Sequence, residues 1–340
     1  MVSDIMRVLG LGGSNHDFSA CIVQDGEVLN MIEDERITRK KYGMGLGISL
    51  AKGFSRKYCL QQLHLTMEDI DLVVGNDILS KVMYKRIDKP VTLINHHLAH
   101  AASAFYPSDF EESAILVVDA VGSKEIVGGQ KLYESVTYAY GNDRAIYFLE
   151  KVNGINLDGT DYIENSLGIF YAVVTEVIGF GEHEEGKTMG LAPYGTEKYY
   201  NEMKEHVRLT GNGKIEITAE DIKKLLEYKT YISQIKDKEK QFQVKADLAY
   251  AAQQILEETI LYLAEHLYQL TKCRNLCIAG GVGLNSVANY KLYKKGIFKN
   301  IFIQPAAGDN GTSIGSALYG YYGILNQKRI ENKNKWKIHS

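Results

Sequence analysis

Two stretches of this chain lay down the same run of elements, and that repetition constrains the fold more than any other feature. Val8-Leu9-Gly10-Leu11 reads as a strand, followed by the polar glycine turn Gly12-Gly13-Ser14-Asn15-His16-Asp17. A strand Ala20 to Val23, an Asp25-Gly26 hairpin turn and a third strand Val28 to Ile32 complete a meander. The order then returns. Ile115-Leu116-Val117-Val118 runs into Asp119-Ala120-Val121-Gly122-Ser123, and Val136 to Tyr140 meets Ile146 to Leu149 across Gly141-Asn142-Asp143-Arg144. A pattern laid down twice is no short-period array, so it predicts two pseudo-equivalent α/β halves facing each other rather than a solenoid. The two glycine turns would then meet at a central cleft, where backbone N–H groups can hold phosphate.

A second constraint is the stretch Ile94 to Tyr106. Asn95 can cap a helix that carries His96 and His100, an i, i+4 pair about 6 Å apart along the axis on one face. Two imidazoles so presented can grip one metal ion, and His97 points off that face. Far along the chain, strand Ile301 to Ile303 leads through Gln304-Pro305-Ala306-Ala307-Gly308-Asp309 to a small-residue helix, Ile314 to Tyr319. With Asp309, the two histidines would make an open site of two nitrogens and one oxygen. Asp309 could equally serve as an N-cap.

Between these landmarks, Leu167 to Phe180 reads as an apolar helix, and Glu184 to Gly195 is too glycine-rich to be regular. Residues from about 196 to 243 have the charged, Tyr-rich composition of a surface insertion. From Leu248 onward the apolar residues keep helical spacing, with His266 on the packed face. Strand Leu276 to Ala279 opens into Gly280-Gly281-Val282-Gly283-Leu284-Asn285 and a helix, a strand, turn and helix N-terminus suited to a nucleotide.

At 340 residues and 45% hydrophobic the chain can bury a large core. A net charge of -3 gives no long-range pull on nucleic acid, and Arg36 to Lys41 is the one compact basic cluster near the start. Cys21, Cys59, Cys273 and Cys277 lack zinc-type spacing and read as buried reduced thiols of a cytoplasmic protein. No apolar run approaches the roughly 20 residues that span a bilayer.

An ordered motif set resembles the O-carbamoyltransferases of the nodulation-protein-U and antibiotic-tailoring type. It comprises Asn15-His16-Asp17-x-Ser19-Ala20, Glu35-Arg36-x-Thr38-Arg39-x-Lys41, His96-His97-Leu98-Ala99-His100 through Tyr106, and Ser166-Leu167-Gly168-x-Phe170-Tyr171. It continues with Glu185-Gly186-Lys187-x-Met189-Gly190-Leu191-Ala192, Gly280-Gly281-Val282-x-Leu284-Asn285, and Gln304 through Asp309-x-Gly311-Thr312. The resemblance implies a duplicated actin-like (sugar kinase and heat-shock ATPase, RNase H-like) fold around a central nucleotide and metal cleft. The expected division is 1–112, then 113–326 with the insertion at about 196–243, then a tail, 327–340.

It also implies a chemistry. ATP and carbamoyl phosphate give carbamoyl adenylate, whose carbamoyl group passes to a hydroxyl. His96, His100 and Asp309 would hold iron or a similar divalent metal. Gly280, Gly281 and Asn285 would line the adenosine site, and Asp119 with Gly122 the phosphate side, opposite Gly12 and Gly13. His16 would stand near the acceptor as a candidate for taking its proton, while Lys41 and Lys187 complement the anionic intermediate. The partners implied are a hydroxyl-bearing acceptor, an adenylating C-terminal-type domain or subunit beyond residue 340, and a second copy in a homodimer. Membranes are not expected as partners.

Departures from the pattern open alternatives. Asp119 to Lys124 lacks the usual Asp-Gly-x-Gly-Glu order, and Tyr42-Gly43-Met44-Gly45-Leu46 replaces the usual segment after Lys41. Threonylcarbamoyl transfer to tRNA, or a non-catalytic ATP-binding subunit, are the competing functions.

Overall fold

The structure is a computed structural model that describes residues 5–157, 160 and 162–329. The tail expected over 327–340 lies almost wholly outside them. The first part of the chain contains β1 (Arg7–Gly12), β2 (Ser19–Gln24), β3 (Glu27–Glu33), α1 (Asp34–Thr38), α2 (Phe54–Gln62), β4 (Leu72–Asn76), α3 (Lys81–Tyr84), β5 (Val91–Ile94) and α4 (His96–Phe105). Next come β6 (Glu112–Val118), β7 (Lys124–Val127), β8 (Gln130–Asn142), β9 (Ala145–Ile155), α5 (Leu167–Val177), α6 (Glu185–Leu191), α7 (Tyr200–Lys204), β10 (Arg208–Gly211) and β11 (Lys214–Glu216). The chain continues through α8 (Ala219–Gln234), α9 (Lys238–Thr271), β12 (Asn275–Ala279), α10 (Ser286–Lys295), β13 (Asn300–Ile303) and α11 (Thr312–Tyr319).

Two mixed sheets carry the architecture. The first runs β3-β2-β1-β4-β5, antiparallel from β3 to β1 and parallel from β1 to β5. In the second, β9-β8-β6-β12-β13 repeats that order with the same directions, and β7 adds to β8 beyond the end of β6. The hairpins close as their turn residues dictate. Asp25 and Gly26 both have positive φ between the paired Gln24 and Glu27, which matches the twist of the flanking strands.

Side-chain alternation sorts the strands into layers. Leu9 and Leu11 face α2, Ala114, Leu116 and Val118 face α5 and α9, and Val8, Ile115 and Val117 point between the sheets. That middle layer is α4 and α11. Each packs across the order of the chain: α4 lies on β6 and β12, α11 on β1 and β2. A Cβ on Gly315 would fall 1.8 Å from the Ala99 carbonyl oxygen, so the approach of α4 to α11 requires glycine there. This close contact brings the start of α4 to the turn that precedes α11.

Three local expectations are corrected. Residues 185–191 form the regular helix α6 despite Gly186 and Gly190, because its Thr188 is buried with Oγ1 2.8 Å from Thr175 Oγ1 on α5. The stretch 196–243 is no mere surface insertion, since Met203, Ile217, Ile222 and Leu225 join the core of α5 and α9. Its apolar residues are spaced on helices that dock, and the charges between them disguise the pattern. The long helix starts at Lys238, capped by Asp237, ahead of the expected Leu248. All four cysteines are buried and free. Among the described residues no helix is long and apolar enough to cross a membrane.

Candidate active site

The site lies where α4, the turn after β6 and the turn before α11 meet. Asn95 caps α4, its Oδ1 accepting from Leu98 N at 2.9 Å, and its amide donates to the buried Glu134 carboxylate. The His96 amide donates to Ser123 Oγ at 2.8 Å and to Asp77 Oδ1 at 3.2 Å, which ties the helix start to both sheets. His96 and His100 are fully buried, and their Nε2 atoms face each other at 3.1 Å. Asp119 Oδ2 lies 3.1 Å from His96 Nε2 and 3.3 Å from His100 Nε2. Asp309 Oδ1 completes the group at 3.4 and 3.5 Å from the same two nitrogens.

All four donor atoms lie within 4.8 Å of one another. Two carboxylates buried side by side demand two compensating positive charges. Protonating both imidazoles at Nε2 would set two N–H groups against each other at 3.1 Å. A divalent cation with neutral imidazoles resolves both problems, and two nitrogens with two oxygens suit iron, manganese or zinc. The donor set therefore fits a divalent metal. The same demand shows in the electrostatics of His96: against the lowering effect of complete burial, Asp309 and Asp119 raise its pKa to about 10. His97 goes the other way, held well below its ordinary value by burial, with Nδ1 2.7 Å from Thr137 Oγ1.

Asp119 is the residue whose place in this group sequence reasoning missed. It was expected on the phosphate side, yet its Oδ2 faces the histidines while Oδ1 accepts from the amides of Ala120 at 2.9 Å and Gly281 at 3.2 Å. The available signal was its position, at the carboxyl end of β6, where the matching first turn carries His16. Asp77, behind the His96 amide, gave no signal in sequence.

The other predicted residues divide between the rim and the supporting turns. His16 stands at the edge of the cluster, Nδ1 3.0 Å from Asp17 Oδ2 and Nε2 4.0 Å from Asp309 Oδ2. Burial lowers its pKa, but Asp17 and then Asp309 outweigh that and raise it overall. Lys41 and Lys187 are not drawn into the cluster; both engage Glu184, at 3.6 and 2.6 Å. Gly12 and Gly13 sit under the turn before α11, where Gly13 N donates to the Asp309 carbonyl and to Thr312 Oγ1, both at 3.0 Å. Gly122 makes room for His97, whose Nε2 would lie 2.5 Å from an added Cβ. Gly280 has φ +93 and passes against the Val118 carbonyl. Asn285 caps α10 and pairs its amide with Gln253 at 2.9 and 3.0 Å.

Two like-ordered mixed sheets around a buried centre of two imidazoles and two carboxylates define an α/β protein with a candidate metal site between its sheets. The chain belongs to the family described as carbamoyltransferase N-terminus, whose model matches residues 77–318. It is 29% identical to nodulation protein NolNO of Sinorhizobium fredii, over 89% of this chain and 46% of that protein. It is 33% identical to nodulation protein NolO of Bradyrhizobium diazoefficiens, over 66% of this chain and 38% of that one. The chain thus spans about half the length, or less, of these curated relatives. In fold it resembles full-length HypF, solved in a phosphate- and nucleotide-bound form, with a TM-score of 0.58 at 14% identity over 98% of this chain and 56% of that one.

Proposed function

We propose that this protein transfers a carbamoyl group from carbamoyl adenylate to the hydroxyl of a small-molecule or nucleoside acceptor. The observation that carries this is the convergence of His96, His100, Asp119 and Asp309 with His16 at its rim, in a chain of the carbamoyltransferase family. The fold is taken as a duplicated actin-like one, divided at 112/113, a reading supported by the shared strand order of the two sheets.

Carbamoyl adenylate would come from ATP and carbamoyl phosphate, in a further domain or subunit of the kind that the greater length of the relatives allows. A cation held by the four donors, with iron the first candidate, would supply charge neutralisation beside the nucleotide phosphate. The chain's own groups do the rest. Gly280, Gly281 and Asn285 shape the turn assigned to adenosine, and Gly12, Gly13 and Gly122 the loops that face it. His16, with its Nδ1–H directed at Asp17, presents Nε2 to take the proton of the acceptor hydroxyl as that oxygen attacks the carbamoyl carbon and AMP leaves. Lys41 and Lys187, both paired with Glu184, leave one net positive charge at the outer rim to complement the anionic intermediate. The setting proposed is the cytoplasm, with homodimerisation open to direct measurement.

The test is titration of AMP, and of preformed carbamoyl adenylate with candidate hydroxyl acceptors, into the metal-loaded protein. Carbamoylated acceptor and one AMP per transfer are expected. Failure to bind either nucleotide defeats the reading. Nucleotide binding without transfer to any acceptor would instead identify a non-catalytic subunit, and tRNA binding with a steep salt dependence would redirect it to threonylcarbamoyl transfer.

A further inference from the structure

Three non-glycine residues with positive φ meet at the rim beside His16: Asp17 (54°), Tyr42 (56°) and His183 (59°). A side chain is disfavoured in that region of the backbone, and such conformations persist where neighbouring contacts over-determine them. Here the contacts form a chain. Asp17 N donates to the Tyr42 carbonyl at 2.8 Å, and Tyr42 Oη donates to the His183 carbonyl at 2.5 Å. The His183 ring then lies on His16, with centroids 4.1 Å apart and planes tilted by 47°, and 5.1 Å from the Tyr42 ring. His16, Asp17 and Tyr42 come from the first-sheet region, whereas His183 belongs to the loop between α5 and α6, on the far side of the site. The next residue, Glu184, is held by Lys41 from one side and Lys187 from the other.

We infer that His183 is a positioning residue for His16, a wall delivered from the second-sheet region and locked by Tyr42. Asp17 fixes one edge of the His16 imidazole and His183 covers a face. Together they hold Nε2 toward Asp309, where the acceptor hydroxyl must be met. The inference rests on the reading of His16 as the acceptor-side base, and it makes the Gly179 to Glu184 loop part of the acceptor pocket. A ring is what the contact requires, since the two imidazoles touch ring to ring at a centroid distance of 4.1 Å and His183 makes its hydrogen bond through its carbonyl.

The experiment uses the whole chain and needs no acceptor. Ethoxycarbonylation of His16 by diethyl pyrocarbonate is followed by peptide mass, alongside the through-space NMR contact between the two imidazoles. In His183→Ala the His16 rate should rise about tenfold; His183→Phe, which restores a ring, should return it to within twofold of the parent. Tyr42→Phe, which keeps its ring and loses the tether to the carbonyl, should raise it about threefold. Lys187→Met, which removes one of the two lysines on Glu184 and touches neither imidazole ring, should leave it within twofold. Circular dichroism checks that each variant is folded. A His16 rate in His183→Ala within twofold of the parent overturns the inference, as does a Lys187→Met rate equal to that of His183→Ala, since the loop as a whole would then be the shield. AMP binding, measured separately, judges the proposed reaction, so the two can fail independently.

Discussion

The turn after β1 and the turn after β6 occupy the same place in their sheets, yet they are braced by opposite means. The first is held by neutral groups: Asn76 Nδ2 donates to the Gly13 carbonyl at 2.8 Å, Ser80 N to the Ser14 carbonyl at 2.8 Å, and Ser19 Oγ lies 2.9 Å from Ser313 Oγ. The second is braced by charge. The fully buried Glu134 carboxylate accepts from Ser123 N at 3.2 Å and from Asn95 Nδ2 at 2.9 Å, and Lys151 reaches it at 2.6 Å. Neutral bracing leaves the first turn free to present an imidazole at the rim. Charged bracing lets the second turn carry a carboxylate, Asp119, directly into the donor cluster.

The comparison can be broken most sharply by metal retention. Asp119→Ala removes a donor, so metal affinity, read by competitive chelation, should fall by about 100-fold or more, while His16→Ala should cost only a few-fold. Equal losses in the two variants would mean that the turns do not differ in this way. Next in size, Lys151→Met strands a buried carboxylate and should cost about 3 kcal/mol in chemical denaturation. If it costs nothing, Glu134 is not a charged brace.

A smaller effect separates the glycines of the two turns. A Cβ on Gly12 would lie 2.3 Å from Ser313 N, a backbone atom, whereas on Gly122 it would lie 2.5 Å from the end of the His97 side chain. Gly12→Ala should therefore lose about 2–3 kcal/mol and Gly122→Ala about 1 kcal/mol, as backbone yields less than a side chain. The reverse order in thermal melts would place the tighter junction in the second turn.

The smallest effect is alkaline. Burial lowers the Lys151 pKa, but Glu125 and Glu134 outweigh it, so the folded value is raised. A raised folded value gives stability that is complete below the unfolded value of about 10.4 and is lost as pH rises through the folded one. Stability measured from pH 9 upward should decline by about 1 kcal/mol more in the parent than in Lys151→Met. Parallel curves would remove Lys151 from the account.

Much of this molecule is legible in its sequence. The Asp25-Gly26 hairpin and the Asn95 cap follow from short-range rules, because each depends on residues within a few positions of one another, and the repeated run of elements is visible along the chain itself. Readings failed where a neighbour distant in sequence decided the outcome. Gly186 and Gly190 argue against a helix, yet Thr188 docking on Thr175 holds α6 in place. Charge in 196–243 argues for the surface, yet α8 and the segment before it cover α5 and α9.

The sequence by itself determined which residues could bind a cation or move a proton, since imidazole and carboxylate chemistry travels with the side chain. It also determined that His96 and His100 share a helix face, through the i, i+4 spacing. Only the tertiary structure decided that Asp119 joins them, that Lys41 and Lys187 turn to Glu184, and that His183 crosses to His16. The meeting of the two histidines with Asp309 depends on how closely α4 approaches α11, a packing distance set by Gly315 against Ala99 that no local pattern records.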